Sequence, residues 1–194
     1  RGVVSQKAAR LEKAVLAYQQ AITMNPRYLE AHINLGNALK EQSALADSIQ
    51  AYRQALALNP SHADIHNNLG AVLKEQGLVL EAIGSYRRAI ELKPTHIEAL
   101  NNLGLALMEA GPLREAVASF EQALAIQPGY QKALYNLGIA WAWLGEDGKA
   151  VDCLQKTALA KHDHGRPVTE GLVYRSRIAH DTEQIQHLLD RNLL

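Results

Sequence analysis

The sequence predicts an all-α fold, a solenoid of paired helices stacked in one dimension. Three observations carry this. Prolines recur at Pro26, Pro60, Pro94 and Pro128, each 34 residues after the last. The glycines Gly36, Gly70, Gly104 and Gly138 keep the same period, as do the aromatics Tyr18, Tyr52, Tyr86 and Phe120 and the alanines Ala21, Ala55, Ala89 and Ala123. Alanine and leucine dominate the apolar residues, and both lose little side-chain freedom in a helix. Columns held at one period mark a repeat whose unit is a helical pair, too small to bury its apolar face without neighbours.

With the proline at position 32, full repeats run 29–62, 63–96, 97–130 and 131–164. Residues 1–28 are the end of an earlier repeat, entered at position 7, so Arg1 falls within a first helix of the frame. The repeat 131–164 is degenerate: His162 stands at the proline, Leu154 at the aromatic and Thr157 at the small alanine.

Each element has a physical reason. Leu35, Leu69, Leu103 and Leu137 place an apolar stripe on the first helix. The glycine at position 8 removes a side chain, so the two helices of a pair can approach closely. Ser43, Gly77, Gly111 and Gly145 follow the first helix, where a C-terminal glycine is favoured. Pro112 suits the opening of a second helix, because its missing N–H costs nothing in a first turn. Leu113, Val117, Phe120 and Leu124 then make the three-to-four spacing of a helical face. Asn59-Pro60 and Lys93-Pro94 end the second helix, since proline disfavours helix at the residue before it. After residue 164 the pattern stops. Gly165-Arg166-Pro167 breaks the chain, and Tyr174, Ile178, Ile185, Leu188 and Leu189 form one apolar stripe. Segment 165–194 therefore reads as a capping helical segment over the last apolar face.

The chain has 194 residues and an apolar fraction of 47%, the composition of a folded protein. Lysine plus arginine equals aspartate plus glutamate at 20 each. That balance gives no electrostatic footprint for a nucleic-acid backbone and no basic face for a membrane surface. No apolar run approaches the roughly 18 residues that span a bilayer. Cys153 is the single cysteine, so no intrachain disulfide can form. This fits a reducing compartment, and a cytoplasmic setting is expected.

Segments such as Asn67-Asn68-Leu69-Gly70, then Glu81-Ala82-Ile83, Tyr86, Ala89 and Pro94, make the sequence resemble the tetratricopeptide repeat family. The resemblance covers roughly residues 5–164. It implies a right-handed superhelix whose first helices line a concave groove. It also implies a partner that is a protein or peptide, with no cofactor and no catalysis in this chain.

Family members turn first-helix positions 2, 5, 6, 9, 12 and 13 toward the groove. Here position 6 is Asn34, Asn68, Asn102 and Asn136; position 5 adds Asn67 and Asn101, and position 9 adds Asn37. An amide both donates and accepts, so a ladder of them can pair with peptide backbone whatever the side chains are. The ladder is similar to that in the repeats of O-linked N-acetylglucosamine transferases. An asparagine at position 6 is also a family residue that can bond the next repeat. Tyr135 and Trp143 form a candidate aromatic anchor, and Trp141 is expected in the core. Glu30, Asp64 and Glu98 at position 2 and Glu41, Glu75 and Glu109 at position 13, partly offset by Lys40, Lys74 and Lys132, make the expected groove mildly acidic. The cationic cradle of carboxylate-clamp members is largely missing, since position 5 carries Ile33, Asn67, Asn101 or Tyr135.

Little else suggests chemistry. His162-Asp163-His164 offers two histidines near each other without further ligands at recognisable spacing, so no metal is expected. His32, His66, His62 and His96 follow the repeat and read as structural. Cys153 is expected to be packed on a second helix. Two other readings remain in view. The chain could be the substrate-recruiting arm of a larger enzyme, a glycosyltransferase or, from Ile178 to Gln184, an iron/2-oxoglutarate oxygenase. Copies could also associate end to end through the broken first repeat.

Overall fold

The computed structural model describes residues 2–162. Among them are nine helices and no strand. They are α1 (Gly2–Met24), α2 (Leu29–Glu41), α3 (Leu45–Leu58), α4 (Ala63–Glu75), α5 (Val79–Leu92), α6 (Ile97–Ala110), α7 (Leu113–Ile126), α8 (Gln131–Trp143) and α9 (Asp147–His162). The class is an all-α helical-repeat solenoid. The chain divides into two compact units, Arg1–Ala110 and Gly111–Leu194. In the first, α1 to α6 pack in chain order, and α4 also touches α6. In the second, α7 packs on α8 and α8 on α9. The expected cap at 165–194 lies outside the described residues, as does Asp163-His164.

The periodic columns are the core. Tyr52, Ala55, Ile65, Val72, Ala82 and Ala89 have no exposed surface, and Tyr86 is also buried. Burying a side chain of that size contributes about 1.5–3 kcal/mol. The position-8 glycine is where the two columns meet. A Cβ on Gly36 would stand 2.8 Å from Tyr52 Cε1, and one on Gly70 would stand 2.7 Å from Tyr86 Cε1. In the degenerate repeat Leu154 takes the place of the ring, 2.9 Å from a Cβ on Gly138. A buried hydroxyl adds a polar tie in the first pair, with Ser48 Oγ donating to the Gly36 carbonyl at 2.7 Å.

The turns within the pairs are closed by left-handed residues: Gly77 at φ 85, Gly111 at φ 108, Gly145 at φ 76 and Ser43 at φ 61. At Gly77 the backbone makes both bonds of a Schellman cap: Leu78 N–H donates to Leu73 O at 2.8 Å and Gly77 N–H to Lys74 O at 3.0 Å. Ser43 sits in the same frame, with Ala44 N–H on Leu39 O and Ser43 N–H on Lys40 O, both 2.9 Å. Pro112 lies one residue ahead of α7, at its N-cap.

The N-terminal segment differs from the repeat frame. Ala9 stands 34 residues before Ser43. There the frame places a turn between two helices, yet α1 runs unbroken for 23 residues. The reason is local. A Cβ makes the left-handed turn costly, and alanine is the strongest helix former.

Candidate peptide-binding face

In the first unit, α2, α4 and α6 are the first helices of their pairs and carry the asparagines in register. Position 6 presents Asn34 exposed and Asn68 and Asn102 half-buried. Asn102 Nδ2 donates to Asn67 Oδ1 at 3.1 Å, so the amides of positions 6 and 5 join α6 to α4. Asn37 is exposed on its helix, and its Oδ1 accepts the Tyr52 hydroxyl at 2.6 Å. Asn101 is only 4% exposed. Asn101 and Asn102 are adjacent, one helical step of about 100° apart, and that step decides which of the two sits in the core.

Two further groups lie at these helices: Lys74, expected among the groove charges, and His96, expected to be structural. Burial pushes the Lys74 ammonium below the ordinary lysine range, with the Glu109 carboxylate on α6 pulling the other way. His96, 6% exposed, closes the first turn of α6, where its Nδ1 accepts the Ala99 N–H at 3.4 Å. Its Nε2 lies 3.2 Å from Asp64 Oδ1 on α4, but the two meet in distance and not in direction, and no hydrogen bond forms. His32 and His66 are structural ties: each Nε2 lies 2.9 Å from the carbonyl of the preceding turn proline, Pro26 and Pro60.

In the second unit, taken by itself, the first helix of the pair is α8. Tyr135, Asn136 and Trp143 are half-buried on this helix. Burial pushes the Tyr135 phenol above its ordinary pKa. Trp141 is a correction: expected in the core, it is half-buried, with Lys149 Nζ 4.2 Å over its ring. A cation over an indole face is favourable at a surface, which explains why this tryptophan need not be enclosed. Cys153, expected to be packed, is half-buried. Among the described residues, no group of three or more His, Cys, Asp or Glu side chains is placed to hold a metal ion. Among them too, no helix is long and apolar enough to cross a membrane.

Helical pairs repeated at one period, with polar side chains in register on their first helices, define a tandem helical-repeat protein. The chain belongs to the tetratricopeptide repeat family. Family models described as TPR repeat or tetratricopeptide repeat match residues 10–43 and 36–77, 61–129, and 107–168. No curated protein sequence gives a significant match. Solved structures share the fold. MamA superposes at a TM-score of 0.76 with 23% identity, covering 81% of this chain and 92% of that one. MamA from Desulfovibrio magneticus RS-1 gives 0.75 at 19%, covering 84% and 94%. YrrB, described as a TPR protein with an unusual peptide-binding site, gives 0.69 at 26%, covering 84% of each chain.

Proposed function

We propose that this protein is a protein-interaction scaffold that holds an extended segment of another polypeptide on the first-helix face of its repeats. The observation that carries the reading is the Asn102–Asn67 amide pair between α6 and α4. An amide that spends one donor on a neighbour keeps a second N–H and its carbonyl for a ligand. The pair therefore fixes the orientation of the amides in advance, which reduces the ordering cost of binding. In the first unit Asn34, Asn37, Asn67, Asn68 and Asn102 contact the segment, with Asn101 packed behind them. In the second, Tyr135, Asn136 and Trp143 on α8 offer an amide beside two aromatic side chains, the residue types that anchor interfaces. YrrB, similar in fold, has a peptide-binding site by its description, which supports the same class of ligand here. Binding is the whole of the activity, and a reducing, cytoplasmic compartment suits the lone thiol.

The test is a screen of immobilised unstructured peptides against the wild-type chain. A variant with Asn34, Asn68, Asn102 and Asn136 all changed to alanine is screened beside it, after circular dichroism has matched the melts. Loss of most binding in the variant is the expected result. Equal binding by both chains overturns the proposal, because the amides are then structural only.

A further inference from the structure

A furrow of about 350 Å³ opens between α3 and α5, with α4 beneath it. Its floor is apolar, made by Leu56, Leu69 and Leu73, and its rim carries Arg53, Glu81 and Arg88. Arg53 Nη2 meets Glu81 Oε2 at 3.3 Å across the furrow, and Arg88 Nη1 meets Glu91 Oε2 at 2.8 Å. All four side chains are about half exposed or more, so these pairs are easily exchanged. Each contact uses a fraction of the five N–H donors that a guanidinium carries.

Gly84 lines this furrow and has no explanation inside the fold. It is the sixth residue of α5, and a glycine within a helix is destabilising relative to alanine. Gly36, Gly70 and Gly138 are explained by a side chain that a Cβ would strike within 3 Å. At Gly84 a Cβ would meet nothing within 4 Å. Glycine's other use is to let a ligand come close to the backbone.

The repeat supplies its own comparison. One step earlier in the stack, the equivalent positions lie on α1 and α3 over α2. The floor residues there are again apolar: Ile22, Leu35 and Leu39. Gln19, Gln50 and Gln54 stand in place of Arg53, Gly84 and Arg88, while Asp47 keeps the carboxylate of Glu81. Two cations and a gap have thus been placed together at one step of the stack and not at the other, on the same architecture.

We infer that the α3–α5 furrow is a second docking site, for an acidic segment of a partner polypeptide in which carboxylates flank an apolar side chain. The apolar side chain lies on Leu56, Leu69 and Leu73, where Gly84 lets the partner backbone approach α5. The carboxylates take up Arg53 and Arg88, whose planar forks suit two-point pairing with a carboxylate. Arg53 exchanges Glu81 for the partner's anion, so the attraction is strongest at low ionic strength. This site is independent of the asparagine face.

The test uses a fluorescein-labelled peptide with glutamates on either side of leucine and phenylalanine, and a twin with glutamine for each glutamate. Anisotropy titrations are run at low salt with the whole chain. The wild type is expected to bind the acidic peptide about tenfold more tightly than the twin. The variant R53Q/G84Q/R88Q copies the preceding step of the stack; it is expected to melt no lower than the wild type and to lose that preference. The four-asparagine variant is expected to keep it. Gly84→Gln alone leaves both arginines in place and still weakens binding several-fold, which guards against misfolding of the triple variant. Equal affinity of the wild type for the two peptides, or an unchanged preference in the triple variant, overturns the inference.

Discussion

The Tyr52 hydroxyl donates a 2.6 Å hydrogen bond to Asn37 Oδ1, tying the core ring of α3 to an exposed amide on α2. Burial pushes the Tyr52 phenol up to about 12. An unfolded tyrosine titrates near 10, so the folded state holds this proton more tightly. The resulting stability is fully present below about pH 10 and is lost as pH rises through about 12. Tyr52→Phe is expected to cost about 1 kcal/mol at neutral pH and to flatten this alkaline loss. Denaturant melts across that window check both effects, and an unchanged alkaline slope in the variant would refute the assignment.

Gly70 and Gly84 should respond to alanine with opposite signs. At Gly70 the new Cβ meets the Tyr86 ring at 2.7 Å, and relieving that overlap costs about 1–3 kcal/mol. At Gly84 it meets nothing, and better helix propensity gains about 0.5–1 kcal/mol. Thermal melts of the two single variants should therefore move apart. If both fall, the opening around Gly84 has been misread.

Ser43 holds φ 61 where the equivalent turns use glycine. A side chain in that region is strained by roughly 1–2 kcal/mol. Ser43→Gly is expected to stabilise by about 0.5–1 kcal/mol, after the added freedom of glycine in the unfolded chain is subtracted. A lower melting temperature would show that the serine makes a contact worth more than the strain.

Burial pushes the Cys153 thiol above its ordinary range, reinforced by the Asp152 and Glu121 carboxylates and opposed by Lys156. The thiolate is the reactive form, so a disulfide reagent at neutral pH should label Cys153 more slowly than it labels a free thiol. Denaturant should remove the difference. Equal rates in the folded and unfolded chain would contradict it.

The sequence made the helices and their closest contacts legible because those depend on short-range chemistry. Proline at 60 and 94 ends α3 and α5 wherever they lie in space, and Gly70 can be matched to Tyr86 from the register alone. The site was legible only as a column. Position 6 marks the face, but the partner of each amide depends on how the next helix is turned. Hence Asn102 reaches Asn67 while its neighbour Asn101 is enclosed. Trp141 illustrates the same limit, since an apolar ring in a core register is left half-buried once Lys149 covers it. The unbroken α1 was readable in principle, from alanine at 9 in place of a left-handed residue.

Within Arg1–Ala110, almost every packing partner of a helix is its neighbour along the chain. Few loops must close before the contacts that reward them form, a topology associated with fast folding. The same economy makes the unit yield by degrees. α1 packs on α2, whereas α4 is held by α3, α5 and α6. Amide protons of α1 should exchange with deuterium well before those of α4, so that within this unit the helix with fewer partners opens first, as the loose teeth of a zipper do.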